Sequence, residues 1–266
     1  MTSEIYDIGP LQLAVTLLFV LLAQAGSYVL KLGLIKDITV GTIRTFAQLF
    51  LMGYALKIIF RLEWSILVMG VFVLMISTAA HIIKGRVKEK RVSFAMPMFA
   101  AMLVSYFVVS FTVTGVIISA KPWWQPQYFI PITGMIIGNS MNALAIALER
   151  LFSDLRAKKD VVEMMLTLGA DFREASQGIM RDAIRAGMIP SINSLMGVGL
   201  VFLPGMMTGQ ILAGADPLTA IRYQIVVMLM LVAANCLGSI VVVLLTRNRC
   251  FGKGQELLVG RSAATK

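Results

Sequence analysis

Histidine occurs once in this sequence, at His81, and cysteine twice, at Cys236 and Cys250. A two-histidine metal site within one chain is therefore excluded, and a Ser-His-Asp triad nearly so. Neither cysteine belongs to a CxxC or a Cys/His cluster, which argues against a zinc site or a disulfide framework. Charge is scarce too: 14% of residues are Asp, Glu, Lys or Arg, against about 25% in a soluble domain. The phosphate-binding pattern GxxxxGK[ST] is absent. The Gly252-Lys253 pair has Arg247 where the first glycine would stand, so if ATP powers this protein, another chain binds it. All 14 acidic residues fall in loops, tails or the ends of apolar runs. That counts against a transporter driven by an ion gradient, which usually places acids within the membrane.

What is abundant is apolar sequence, 58% of the chain. It recurs in seven runs of roughly 20 residues, the length that crosses a hydrocarbon core of about 30 Å. The runs are Leu11–Leu30, Ile38–Phe60, Trp64–Ile83, Phe94–Ile118, Tyr128–Leu148, Ile189–Ala213 and Thr219–Leu245. In lipid each backbone polar group needs a partner within its own segment, so all seven are expected to be helical. The chain reads as an all-α, single polytopic membrane domain over residues 1–266. Met1–Pro10 lacks a basic stretch and carries Glu4 and Asp7. It does not resemble a cleaved signal peptide, and the first run is expected to stay in the mature protein.

The net charge of +10 would suggest nucleic acid in a soluble protein. Here no aromatic-interleaved basic patch supports that, and the charge lies between the runs. Of 24 basic residues, 19 fall on one side of the alternating spans and 4 on the other, with Arg44 inside the second span. Basic loops stay in the cytoplasm, which places the N-terminus outside and the C-terminus, with its tail 247–266, inside. Trp64, Trp123, Trp124 and Tyr128 fall at outer ends, where interfacial aromatics belong.

One cytoplasmic segment is long. Residues 149–188 carry seven basic and seven acidic residues, with apolar residues at helical spacing. Val161, Val162, Met164, Met165, Leu166 and Leu168 predict a short helix, and Gly169 breaks it. Asp171 with Glu174 forms a candidate capping box for a second helix running to about Ala186. Such a helix-turn-helix could be a solvated loop or the surface that meets a soluble partner.

Polar residues also enter the spans: Arg44 and Gln48 in the second; Asn139, Ser140 and Asn142 in the fifth; Asn193, Thr208 and Gln210 in the sixth; Asn235 in the seventh. Such groups tend to face a bundle interior or a cavity. Arg44 could equally reach the inner interface, and His81 is expected to be interfacial rather than a ligand. Pro204-Gly205, within Gly197–Gly214, predicts a hinge or break in span six. Gly134/Gly138 and Gly205/Gly209 have GxxxG spacing, which packing alone could explain. Of 18 methionines most are packing material. Met206 and Met207, beside the break, are the pair that could offer soft ligands.

Glu163, the glycine six residues on at Gly169, and Ile179 ten beyond resemble the EAA loop of bacterial ABC-importer permeases. Met164-Met165 replace the usual two alanines, and Arg181-Asp182 the usual Leu-Pro. More extensively, Phe129-Ile-Pro131 through Gly138-Asn139, Arg181-Asp182-Ala-Ile-Arg185, and Leu203-Pro204-Gly205-Met-Met-Thr-Gly209-Gln210 through Gly214-Ala-Asp216-Pro217 and Arg222-Tyr-Gln224 resemble the FetB-type permease family. Bacterial members are described as iron-export permeases, and plant relatives are linked to aluminium tolerance.

The resemblance implies a permease subunit, itself no enzyme, in the bacterial inner membrane. It would pair with a separate ABC ATPase that holds ATP and magnesium, form a homodimer within the lipid, and export iron or another metal. Under that reading Glu163, Gly169, Asp171, Arg173 and Arg185 face the ATPase. Arg44, Gln48, Asn139, Pro204, Gly205, Met206, Met207 and Gln210 are candidates for the pathway or its hinge. The rival readings are a gradient-driven secondary transporter and a non-transporting membrane scaffold.

Overall fold

The computed structural model describes residues 8–62, 64–87, 89, 92–252 and 254–259. Lys88, Lys90, Arg91, Lys253, Arg261 and Lys266, which enter the charge count, lie outside them, as do Glu4 and Asp7. The fold is helical throughout, in the order α1 (Pro10–Val15), α2 (Leu17–Val29), α3 (Ile35–Leu62), α4 (Ser65–Arg86), α5 (Ala95–Phe111), a π-helical turn (Thr112–Ile117), α6 (Pro126–Ala157), α7 (Lys159–Thr167), α8 (Phe172–Gly197), α9 (Gly205–Leu212) and α10 (Pro217–Arg249). Among the described residues six helical segments are long and apolar enough to cross a membrane: 10–29, α3, α4, 95–117, α6 and α10.

The remaining expected span, Ile189–Ala213, is not a continuous helix. It is assembled from the end of α8, an irregular stretch 198–204, and α9. Two boundaries also move. α6 continues past Leu148 to Ala157, because Leu148, Leu151, Phe152 and Leu155 keep a helical stripe that is almost wholly buried. α8 runs unbroken through Ala186 and Pro190 to Gly197. The proline lies on an exposed face, and its carbonyl accepts a hydrogen bond from Ser194 Oγ at 2.9 Å.

α6, α8 and α10 form the centre, with α4 and α5 packed outside them. Contacts set the directions. Phe172 meets Phe251, just past α10, with ring centroids 5.3 Å apart. Higher on α8, Met180 Sδ accepts from Arg247, then Ser191 meets Asn235. Leu195 and Val198 share a cavity with Gln224 and Met228. Each step up α8 is a step back along α10, so the two are antiparallel. Ser140 bonds Asn235 while Ala143 and Ala147 crowd Gly187, which makes α6 parallel to α10 and antiparallel to α8. The end of α4 joins the same side, where Arg86 Nη1 donates to Asn142 at 3.0 Å and Glu89 lies 3.8 Å from Arg156.

Close approach of α6 and α8 depends on Gly187: a Cβ there would stand 2.7 Å from the Ala143 carbonyl oxygen and 2.9 Å from Ala147 Cβ. At the far end Trp123 meets Phe107, Phe111, Trp124 and Phe129 edge-on, with centroids 5.2–5.8 Å apart. The α2–α3 hairpin joins this core through Ala55, Leu56 and Ile59 of α3, and otherwise little of it is covered: 6% of each of its membrane-length windows is buried, against 33–56% for the other four. Gln24 Nε2 donates to Thr39 Oγ1 at 2.9 Å and ties its two helices together.

Candidate functional site

The helix directions bring one line of polar and sulfur-bearing groups to the centre. Along α10, Gln224, Met228 and Asn235 recur at four and then seven residues, a single helical face. Asn235 is 3% exposed and is held from both sides: Ser140 Oγ of α6 donates to its Oδ1, and its Nδ2 donates to Ser191 Oγ of α8. A polar group this deep in an apolar bundle persists because both ends of its amide are paired.

Around this clasp lies a small cavity of about 90 Å³, lined by Asn139, Asn142, Ser191, Ser194, Met228 and Asn235 among others. Asn139 also gives its Nδ2 to the Met135 carbonyl at 2.9 Å. A second cavity of about 320 Å³ follows toward the far end, between the end of α8, the irregular stretch, α9 and α10. Its walls include Gly199, Pro204, Met207, Gln224 and Met228. Met228 belongs to both cavities, so they form one seam divided by a thioether side chain. Gln224 is 5% exposed, and among the described residues its amide oxygen has no hydrogen-bond partner. The amide oxygen of Gln210 on α9 is likewise buried without a partner. Among the described residues no three His, Cys, Asp or Glu side chains converge as a metal site. The seam therefore offers neutral amide oxygens, hydroxyls and thioethers.

Pro204 does not break a helix. α8 has already ended at Gly197, and Pro204 is the residue before α9, with extended backbone at φ −66° and ψ 146°. Its carbonyl accepts the Thr208 amide at 3.1 Å, and no strain from a proline in a helix interior is stored there. The break begins instead at Gly197–Phe202, where Gly199 takes φ +85° and the Gly197 carbonyl receives the Val201 amide at 2.8 Å. Gly205 and Gly209 have open space where a Cβ would stand. Among the described residues, then, nothing packs closely on these two glycine positions of α9. Met206 packs on the core, whereas Met207 lines the larger cavity. Arg44 and Gln48 are exposed on α3, in the part of the hairpin outside the core and not in the seam.

At the tail end, α7 and α8 meet in an elbow. Gly169 turns it at φ +95°, a conformation other residues adopt only with strain, although space for a Cβ exists. Asp171 and Glu174 complete the expected capping box: the Glu174 amide donates to Asp171 Oδ1 at 2.7 Å, and the Asp171 amide to Glu174 Oε2 at 3.0 Å. Glu163 lies 3.8 Å from Lys159 Nζ. The Arg173 guanidinium sits 5.6 Å from the Phe172 ring centroid. Arg185 is exposed, about 20 Å further along α8 by helical rise, and does not join the elbow.

Ser191, Ser194 and Met228 were not named from the sequence, and Gln224 entered only as part of the family pattern Arg222-Tyr-Gln224. The spacing of Gln224, Met228 and Asn235 on one face was the signal available for α10. The C-terminal tail, which contributes little to the sequence reading, folds against the elbow. Phe251 and Leu257 pair across a short antiparallel bridge, and Cys250, Phe251, Leu257 and Val259 are buried.

Three relatives span nearly the whole chain. YjkA of Bacillus subtilis, named a UPF0014 membrane protein, is 37% identical over 93% of this chain and 97% of its own length. The probable iron export permease protein FetB of Escherichia coli is 36% identical over 93% and 94%. ALUMINUM SENSITIVE 3 of Arabidopsis thaliana is 33% identical over 94% and 90%. No solved structure matches. With residues 10–251 matching its pattern, this membrane chain belongs to UPF0014, the uncharacterised protein family that gives YjkA its name.

Proposed function

We propose that the chain is the membrane-spanning permease subunit of an ATP-driven ABC transporter that moves iron or another metal ion out of the cytoplasm. The observation that carries the transport reading is the seam: a line of amide, hydroxyl and thioether groups running from exposed Asn142 past buried Asn235 and Met228 to buried Gln224, between helices of membrane length. Polar groups inside a membrane bundle are costly and mark pathways. Neutral ligands suit transit, because a cargo must bind well enough to enter and weakly enough to leave. Thioether sulfur favours soft or borderline cations over hard ones. The name of the Escherichia coli relative supports export as the direction.

ATP hydrolysis would come from a separate ABC subunit docked on the α7–α8 elbow, where Glu163, Gly169, Asp171 and Arg173 lie together. Arg185 would serve only as a neighbouring surface charge. Seven crossings, with α8, the irregular stretch and α9 as the sixth, would set the termini on opposite sides, and the excess of basic residues at the tail end supports a cytoplasmic tail and an outer N-terminus. In a bacterium this is the inner membrane. The larger cavity opens beside exposed Ile225 and Leu229, and among the described residues nothing lies within 4 Å of where a Cβ would stand on Gly205 or Gly209. A second copy seated there would enclose the pathway between two chains.

The test is efflux. Cells loaded with radioactive ferrous iron and co-expressing the chain with an ABC ATPase should lose iron faster than cells carrying Met207→Leu with Met228→Leu, which holds apolar volume nearly constant. Equal efflux removes the thioethers from the mechanism. Efflux no faster than from cells without the chain overturns iron export.

A further inference from the structure

The C-terminal hairpin is attached to the elbow by several contacts of different kinds. Gln255 Oε1 accepts the Phe172 amide at 3.0 Å. That amide belongs to the first turn of α8, where backbone donors have no partner within the helix. Phe251 packs its ring on Phe172. Arg247, 7% exposed at the end of α10, lies 5.8 Å from the centroid of the same ring and donates to Met180 Sδ at 3.3 Å. The hairpin closes on itself through Leu258 N to the Cys250 carbonyl at 2.8 Å and Gly252 N to the Glu256 carbonyl at 2.9 Å. Its turn and α7 share a cleft lined by Glu163, Leu166, Thr167 and residues 254–257.

Gln255 sits at φ +63°, a region where glycine or asparagine fits with less strain. A glutamine there needs a reason beyond the turn, and its side chain supplies one by capping α8. The residues joined to Phe172 are themselves continuous with α10, the helix that carries Gln224, Met228 and Asn235.

We infer that the C-terminal hairpin is a working part of the coupling apparatus, with Gln255 and Phe251 as positioning residues. They fix the α7–α8 elbow to the end of α10, so that displacement of the elbow reaches the seam through α10 as well as through α8. The coupling role rests on the transport reading above; the attachment does not.

Two measurements separate them. In the purified chain in detergent, hydrogen exchange at the Phe172 amide should quicken at least tenfold in Gln255→Gly, which eases the backbone while removing the acceptor. Gln255→Glu, which keeps an acceptor, should restore protection. Unchanged exchange in Gln255→Gly overturns the attachment whatever the ATPase does. In proteoliposomes holding the chain with an ABC ATPase and ferrous iron, Gln255→Gly should lower iron moved per ATP at least fivefold. ATPase affinity should stay within twofold of the parent, and Gln255→Glu should recover the ratio. An unchanged ratio, or loss of affinity in step with transport, overturns the coupling role. Absence of iron transport by the parent chain sinks the export reading and leaves the exchange result standing.

Discussion

Two single residues show how the same lack of space acts differently by chemistry. Cys250 is fully buried under the tail hairpin. Burial, with the Glu89 carboxylate as a smaller influence, pushes its thiol from 9.0 up to about 12. Folded protein therefore keeps this proton over a range in which unfolded protein loses it. The contribution is neutral below pH 9 and becomes destabilising as pH rises from 9 toward 12. At pH 8 a maleimide should leave Cys250 unmodified until the protein is denatured; rapid labelling of the native chain would contradict the burial. Gly187 is a steric case. A methyl group there would meet the rigid Ala143 carbonyl at 2.7 Å, so Gly187→Ala must separate α6 from α8. The expected cost is about 1–3 kcal/mol, seen as a lower Tm in detergent, whereas Gly178→Ala, which meets nothing within 4 Å, should be tolerated. The sequence offers no sign that distinguishes these two glycines of α8, because the difference lies in what α6 places opposite each.

At the scale of elements, legibility followed how local the determinant is. The α7–α8 elbow could be read because a positive-φ glycine and an Asp-x-x-Glu cap act within a few residues of themselves. Asp171→Ala removes the acceptor for the Glu174 amide and should cost about 1 kcal/mol, measurable as a Tm shift. Gly169→Val should do more, because strain at φ +95° persists even with open space around the side chain. If the elbow docks an ATPase, this variant should lose co-purification with it while remaining in the membrane. Retained binding and efflux would move the docking surface elsewhere. Span six was harder. Its Pro204-Gly205 pair pointed to a break of the right kind, but the cause lies earlier, at Gly197–Gly199. Pro204 then serves as an ordinary helix-start residue. Pro204→Ala should accordingly change Tm little, since no strained turn is relieved. On α10 the sequence marked Asn235 as a polar residue within a span but did not join Gln224 and Met228 to it, because only the packing of α6 and α8 onto that face selects the stripe.

For the whole molecule, charge and packing give the same division. Arg86, Arg150, Arg156, Arg247 and Arg249 gather at the end of the bundle that holds the elbow and the tail hairpin, while Lys121 and Arg222 lie toward the other end. The antiparallel registry of α8 with α10 requires that the chain pass from one end to the other between Phe172 and Pro217, although no continuous helix does so. Among the described residues a count of long helices therefore gives six, and the seventh passage of the proposed topology would be the composite of α8, the stretch 198–204 and α9. Topology can thus be tested at two described and exposed sites. Ser119→Cys lies in the loop before α6, and Thr167→Cys closes α7 at the elbow. Both are made in a Cys236→Ser background, with native Cys250 kept silent by burial. A membrane-impermeant maleimide should label Ser119→Cys in intact spheroplasts and Thr167→Cys only after permeabilisation. The reverse pattern would invert the orientation. Labelling of both from outside would break the seven-passage path, and with it the placing of the elbow where a cytoplasmic ATPase could reach it.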